Sequence, residues 1–154
     1  LTGEPVTDKK GALIAFISPR DGYFDSSLTE CGPPAVLTDK GIVLLYNGKN
    51  HAEKGDKRFN KNTYSAGQVL FDSRDPTSVL ARMDVPFLRP MESFEKSGQY
   101  IDGTVFIEGL VFLNKNGFYI MAVLTPELLW AFMTQEILPS WIPYPNRCKS
   151  VCIA

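Results

Sequence analysis

Apolar runs recur along the chain at residues 12–17, 35–37, 42–46, 68–71 and 104–112, each bounded by Gly, Pro, Asp or Asn. They are strand length and rich in Val, Ile, Leu and Phe, the residue types that suit a pleated, half-buried surface. The pattern predicts an all-β chain. Thr38, Asp39, Lys40 and Gly41 separate two of the runs and read as a hairpin turn in which Gly41 supplies a positive φ. Asn114, Lys115, Asn116 and Gly117 read the same way. Residues 51–62 are polar and charged, as a surface loop between strands would be. Only residues 126–135 have helical character, with Pro126 placed for a first turn, and they predict a short helix in the tail.

Beneath this alternation lies a weak repeat. Glu30 leads through Cys31-Gly32-Pro33-Pro34 into the first hairpin, and Glu108, 78 residues later, leads through Gly109 into the second. Each glutamate is followed by an apolar strand, a polar turn and another apolar strand. Propeller blades repeat in this way, because one small antiparallel sheet must stack on the next to bury its faces. Equivalent positions in successive blades point at a common axis, so the repeat predicts that Glu30 and Glu108 share one pocket.

Composition narrows the partners. Sixteen basic residues stand against seventeen acidic ones in 154, with no basic stripe interleaved with aromatics, which argues against nucleic acid. No apolar run reaches the length of about eighteen residues that spans a bilayer. Cys31, Cys148 and Cys152 are too few for a disulfide framework, and no His accompanies the last two, so neither a metal nor a cofactor is expected. His51, the single histidine, lies in the charged loop and gives a Ser-His-Asp arrangement little support.

Residues 18–34 read Ser-Pro-Arg-Asp-Gly-Tyr-Phe-Asp-Ser-Ser-Leu-Thr-Glu-Cys-Gly-Pro-Pro. In order behind them come Leu44-Leu45-Tyr46-Asn47-Gly48, Tyr64-Ser65-Ala66-Gly67, Leu70-Phe71-Asp72 with Asp75-Pro76, Val79-Leu80-Ala81-Arg82 and Val105-Phe106-Ile107-Glu108-Gly109. Together these resemble glycoside hydrolase family 130, over about residues 19–112 of the chain. The resemblance implies a five-bladed β-propeller of which about two to three blades are present. It also implies an axial pocket that cleaves β-mannosides by hydrolysis or phosphorolysis, and N-terminal blades of the same protein that supply the general acid.

Beyond Lys115 the sequence departs from the family, which continues with two aromatics, Gly, a small residue, Ala and Asp. Codons built from the last base of one codon and the first two of the next restore that pattern. Met121-Ala122 then forces Gly, Trp130-Ala131 a second Gly, and Met133-Thr134 Asp. A single lost base in the A-rich Lys115-Asn116 codons explains the departure and predicts that residues 116–154 are an out-of-frame tail, residues 1–115 being the propeller part. A divergent natural C-terminus is the alternative.

Glycoside cleavage uses carboxyl groups flanking the bond, about 6.5–9.5 Å apart in inverting enzymes. Glu30 and Glu108 are the candidates, as base toward water or as holders of sugar hydroxyls, and a structural carboxylate is the alternative. Arg20, Tyr23 and Asp25 precede the pocket strand and are candidates for gripping vicinal hydroxyls, with loop-stabilising pairing as the other reading. Tyr46, Asn47 and Tyr64 are candidate pocket-lining residues, with core packing the commoner role for a Tyr in a strand, and Arg82 reads as a structural ion pair. Family phosphorylases resemble Lys-x-Gly-x-Gly-Pro-Pro where this chain has Leu28-Thr29-Glu30-Cys31-Gly32-Pro33-Pro34. A carboxylate in place of that Gly repels phosphate and can activate water, so the sequence leans to an inverting hydrolase of manno-oligosaccharides or glycans. Phosphorolysis, or an inactive sugar-binding or pseudogene remnant, are the alternatives.

Overall fold

The computed structural model describes residues 4–98, 101–113, 116–122, 128–132 and 152–153. It contains two antiparallel sheets and, among the described residues, a single 3-10 turn at Phe94–Lys96. The first sheet holds β1 (Leu28–Cys31), β2 (Val36–Thr38), β3 (Gly41–Lys49), β4 (Tyr64–Phe71) and β5 (Val79–Arg82). Its order is β1-β3-β4-β5, and β2 also pairs with β3. Leu28 to Cys31 lie against Lys49 to Tyr46, and Val36 to Thr38 against Val43 to Gly41, so β1 and β2 form one interrupted strand along the same edge of β3. The second sheet holds β6 (Phe106–Leu113), β7 (Asn116–Ala122), β8 (Leu128–Phe132) and β9 (Cys152–Ile153), in chain order. Both sheets are thus meanders of the plan a propeller blade requires. Glu30 and Glu108 each lie in the first strand of their sheet, the equivalence the repeat predicts.

Alternation along β3 and β4 builds two cores. Val43 and Leu45 with Ala66 and Leu70 meet Ile107 of β6, joining the sheets. On the other face, Tyr46, Val69 and Phe71 close around Phe24, with Ile42 and Leu44 at their margin. Side chains of period two feed both faces, which is why both strands are apolar almost throughout. Gly41 turns the chain between β2 and β3 at φ 138°, and a side chain there would collide with the carbonyl of Phe71.

Several expectations are corrected. Residues 12–17 form no strand: Thr7 and Leu13 make one isolated bridge, and the turn between them is held by Asp8, whose carboxylate accepts from the amides of Lys10 and Ala12. Leu13 is 75% exposed, so the apolar run has no core to enter. The helix expected at residues 126–135 is replaced by β8 over Leu128–Phe132, paired with β7, the other residues of that range lying outside the described ones. Pairing with a neighbouring strand overrides a helical preference that was only local. Gly117 lies within β7 opposite Phe112 and not in the turn. The strands β1 and β5 are additions, short and without a strong apolar signature.

Candidate functional site

Asn47 organises the place where the sheets meet. It is fully buried in β3, yet its amide turns away from its own ladder. Its Nδ2 donates to the Ile107 carbonyl at 3.1 Å, and its Oδ1 accepts from the Ile107 amide at 2.8 Å. One side chain therefore supplies β6 with the pair of bonds that a neighbouring strand would give. Glu30 stands directly across the ladder from Asn47, and residues opposite each other in an antiparallel pair share a face. Glu30 thus projects from the face of the first sheet that receives β6, while Glu108 follows Ile107 at a register shift between Ile107 and Gly109. Gly32 completes the approach: a Cβ there would sit 3.1 Å from the Ile107 carbonyl and 3.2 Å from that of Leu45. Both glutamates are exposed, and neither has an ion-pair partner among the described residues. The Asn47 amide, on the strand paired with that of Glu30, ties the first sheet to the strand that carries Glu108.

On the opposite face a buried carboxylate anchors the preceding loop. Asp25 is fully buried and accepts from Arg20 at 3.1 Å, from Arg82 at 2.5 Å and from the Tyr46 hydroxyl at 2.7 Å. Arg20 also donates to the Met83 carbonyl and Asp84, and its guanidinium lies 4.1 Å from the Tyr23 ring centre. Burial works against the Arg20 charge, but the hydrogen bond and charge of Asp25 more than offset it and raise its pKa. Burial, reinforced by Asp25, pushes the Tyr46 phenol well above its ordinary value, so it stays a donor. Arg82 is the structural ion pair expected, although its partner is Asp25. Arg20 and Asp25 pair with each other, as in the loop-stabilising alternative of the sequence reading, and the buried Tyr46 matches the core-packing alternative while donating to Asp25.

Tyr64 begins β4 opposite Lys49, whose ammonium lies 5.2 Å from its ring centre, and it is half-buried at the end of the sheet where β1 begins. His51 Nδ1 accepts from the amides of Glu53 and Lys54 and so shapes the loop. Among the described residues no group of His, Cys, Asp or Glu could hold a metal ion, and no helix is long and apolar enough to cross a membrane. The sequence reading did not single out Phe59, Arg89, Lys96 and Asp102, which line a cavity of about 250 Å³. They come from two separate loops and form no local motif.

The family model described as β-1,4-mannooligosaccharide phosphorylase, glycoside hydrolase family 130, matches residues 6–123. The chain belongs to glycoside hydrolase family 130. A β-1,2-mannobiose phosphorylase of Listeria innocua is 34% identical over 92 residues, covering 60% of this chain and 23% of the relative. The structure of a glycosyl hydrolase from Bacteroides ovatus is 60% identical with a TM-score of 0.73, covering 77% of this chain and 33% of that one. Another solved chain comes from work reporting that the mannoside phosphorylase family 130 contains glycoside hydrolases targeting β-1,2 mannosidic linkages in Candida mannan. It is 52% identical with a TM-score of 0.82, covering 93% of this chain and 40% of its own length. The chain thus spans about a quarter of the curated relative and about a third of the solved structures, and its two sheets are part of a family 130 propeller. The curated relatives are phosphorylases, which favours the phosphorolysis alternative over the hydrolase to which the sequence leaned.

Proposed function

We propose that this chain forms part of a family 130 enzyme that breaks β-mannosidic bonds of manno-oligosaccharides, with inorganic phosphate as acceptor. The observation that carries the reading is the Asn47 bridge, which ties β3, the ladder partner of the Glu30 strand, to the Glu108 strand in a chain of this family. In this scheme a phosphate oxygen bonds to the anomeric carbon as the glycosidic C–O bond breaks, and the departing oxygen takes a proton from an acid outside the chain. Glu30, Glu108 and Tyr64 hold the sugar, while Arg20, Tyr23, Asp25 and Tyr46 position the loop leading to the pocket.

Hydrolysis is the second reading, favoured by the chain itself. Leu28 and Glu30 stand where the phosphorylases it resembles have Lys and Gly, and the Glu30 carboxylate forms no ion pair among the described residues. Uncompensated charge raises the cost of binding phosphate and leaves a base for water. Incubating the complete, frame-restored protein with β-linked mannobiose, with and without phosphate, separates the two. Mannose 1-phosphate formed only with phosphate supports phosphorolysis, whereas free mannose at a phosphate-independent rate transfers the role of base to Glu30. Neither product would overturn both.

The codon argument at residues 116–154 carries a proposal of its own, supported by the Gly and Asp codons that a shifted frame forces. The family match stops at residue 123, and β7 pairs with β6 across the point of departure. Pairing does not decide the matter, since ladder bonds are made by backbone and tolerate most side chains. Genomic sequence through the Lys115 codon decides it: one additional A restores the family frame, and an unchanged run makes the tail a divergent natural C-terminus.

A further inference from the structure

Beside the end of the first sheet lies the cavity of about 250 Å³. Its walls come from the loop between β3 and β4 and from the connection that leads to β6. The two are clasped together: the Thr63 hydroxyl donates to the Asp102 carbonyl at 2.8 Å and Asn62 Nδ2 to the Asp102 carboxylate at 3.2 Å. Phe59 is flanked by the guanidinium groups of Arg58 and Arg89, each 5.7 Å from its ring centre. Arg58 is already committed to Asp56, and Lys96 donates to the Met91 carbonyl. Arg89 makes no hydrogen bond or ion pair among the described residues, leaving its five donors open.

This inventory selects a ligand class. A site for an anion would gather several uncommitted cations, but here Asp56 answers Arg58, Lys96 is engaged by the Met91 carbonyl, and Asp102 lines the same space as Arg89. Planar donors, a carboxylate acceptor and an aromatic wall suit instead a neutral polyol, whose hydroxyls both give and accept hydrogen bonds and whose C–H face lies on a ring. Position agrees. Thr63 precedes Tyr64, which pairs with Lys49, which pairs with Leu28, two residues before Glu30. From β4 to β1 is two strand spacings, about 10 Å, the span of a short run of linked pyranose rings.

We infer that this cavity is a second saccharide subsite, holding a neutral pyranose unit of the oligosaccharide remote from the bond that is broken. The ligand's identity rests on the β-mannoside reading above, and the existence of the subsite does not. The test titrates the 154-residue chain, shown to be β-structured by circular dichroism, with β-linked mannotriose, mannobiose and inorganic phosphate. Saturable mannotriose binding should weaken about tenfold in Arg89→Ala and in Lys96→Ala, whose side chains are exposed, and persist in Glu30→Gln. In the complete protein, Arg89→Ala should raise KM for mannotriose about tenfold while leaving kcat, and mannobiose turnover, unchanged. Binding that depends on Arg89 in a protein without mannoside turnover keeps the subsite and removes the proposed function. The subsite is overturned if the folded chain binds no mannotriose, if Glu30→Gln removes the binding and Arg89→Ala does not, or if phosphate alone saturates the site.

Discussion

The two sheets share one strand plan and differ in how they are held. The first is locked on both faces: against one lies the Asp25 cluster with Phe24, and against the other Ile107 enters among Val43, Leu45, Ala66 and Leu70. The second is tied to the first through its opening strand, where the Asn47 amide grips Ile107. In the first sheet charge is buried and fully answered; at the junction a neutral amide does the joining. The contrast teaches that the strand facing Glu30 is also the one that docks the second sheet, so Asn47 serves the geometry of the junction while Glu30, opposite it, makes no ion pair among the described residues. Glu30 lies in a regular ladder, whereas Glu108 sits at an irregularity, and irregularities re-aim side chains.

The largest effect should come from Glu30, whose side chain makes no ion pair among the described residues. In the complete protein, Glu30→Gln keeps shape and loses basicity, and should reduce turnover about 10²–10⁴-fold if the carboxylate acts as base, with the melting temperature unchanged. Steady-state kinetics and calorimetry on the same sample check it. A loss of stability with normal turnover would move Glu30 to the structural side of the comparison.

Asp25 should behave in the opposite way. Removing the carboxylate leaves Arg20, Arg82 and the Tyr46 hydroxyl facing each other inside the protein, and breaking a buried ion network by deleting one partner costs about 3–5 kcal/mol. Urea unfolding of Asp25→Ala should show that loss. A change below about 1 kcal/mol would match an exposed ion pair and would dissolve the clamp as an explanation.

Much of this was legible in the sequence. Runs at residues 42–46, 68–71 and 104–112 became β3, β4 and β6 because apolar residues of strand length, bounded by turn formers, have few other ways to be buried. Gly41 adopted its positive φ. The repeat linked the two glutamates, and both lie in the first strand of their sheets, although the strand that holds Glu30 was not itself legible. What could not be read was partnership across distance. Residues 12–17 look like a strand locally and lack a sheet, and residues 128–132 look helical locally and find one. Asn47 reads as a pocket amide until Ile107, 60 residues on, is seen in its grip. Asp25 reads as a sugar ligand or a loop-stabilising carboxylate, and neither reading names the partner that Arg82 brings from β5. The cavity residues are drawn from loops, where spacing carries no period at all.

Asn47→Ala should separate the sheets. It leaves the Ile107 amide and carbonyl without their partners in a buried place, and each such group costs about 1–3 kcal/mol. Hydrogen exchange at the Ile107 amide should accelerate while exchange within β3 and β4 stays slow. Equal acceleration in both sheets would mean that they unfold as one unit and that the junction is no weaker than the sheets it joins.

The smallest effect, and the one that sharpens the comparison most closely, lies at Gln68. It is fully buried in β4 on the face shared with Ala66 and Leu70, and neither its Nε2 nor its Oε1 has a hydrogen-bond partner among the described residues. An unsatisfied amide among aliphatic side chains is a cost that Leu, of similar volume, would not carry. Gln68→Leu should therefore stabilise the 154-residue chain by about 1 kcal/mol in urea unfolding. Should the substitution destabilise by that amount instead, the amide is answered by a group brought to this face in solution. The joint between the sheets would then rest on two side-chain amides, Asn47 and Gln68, and not on one.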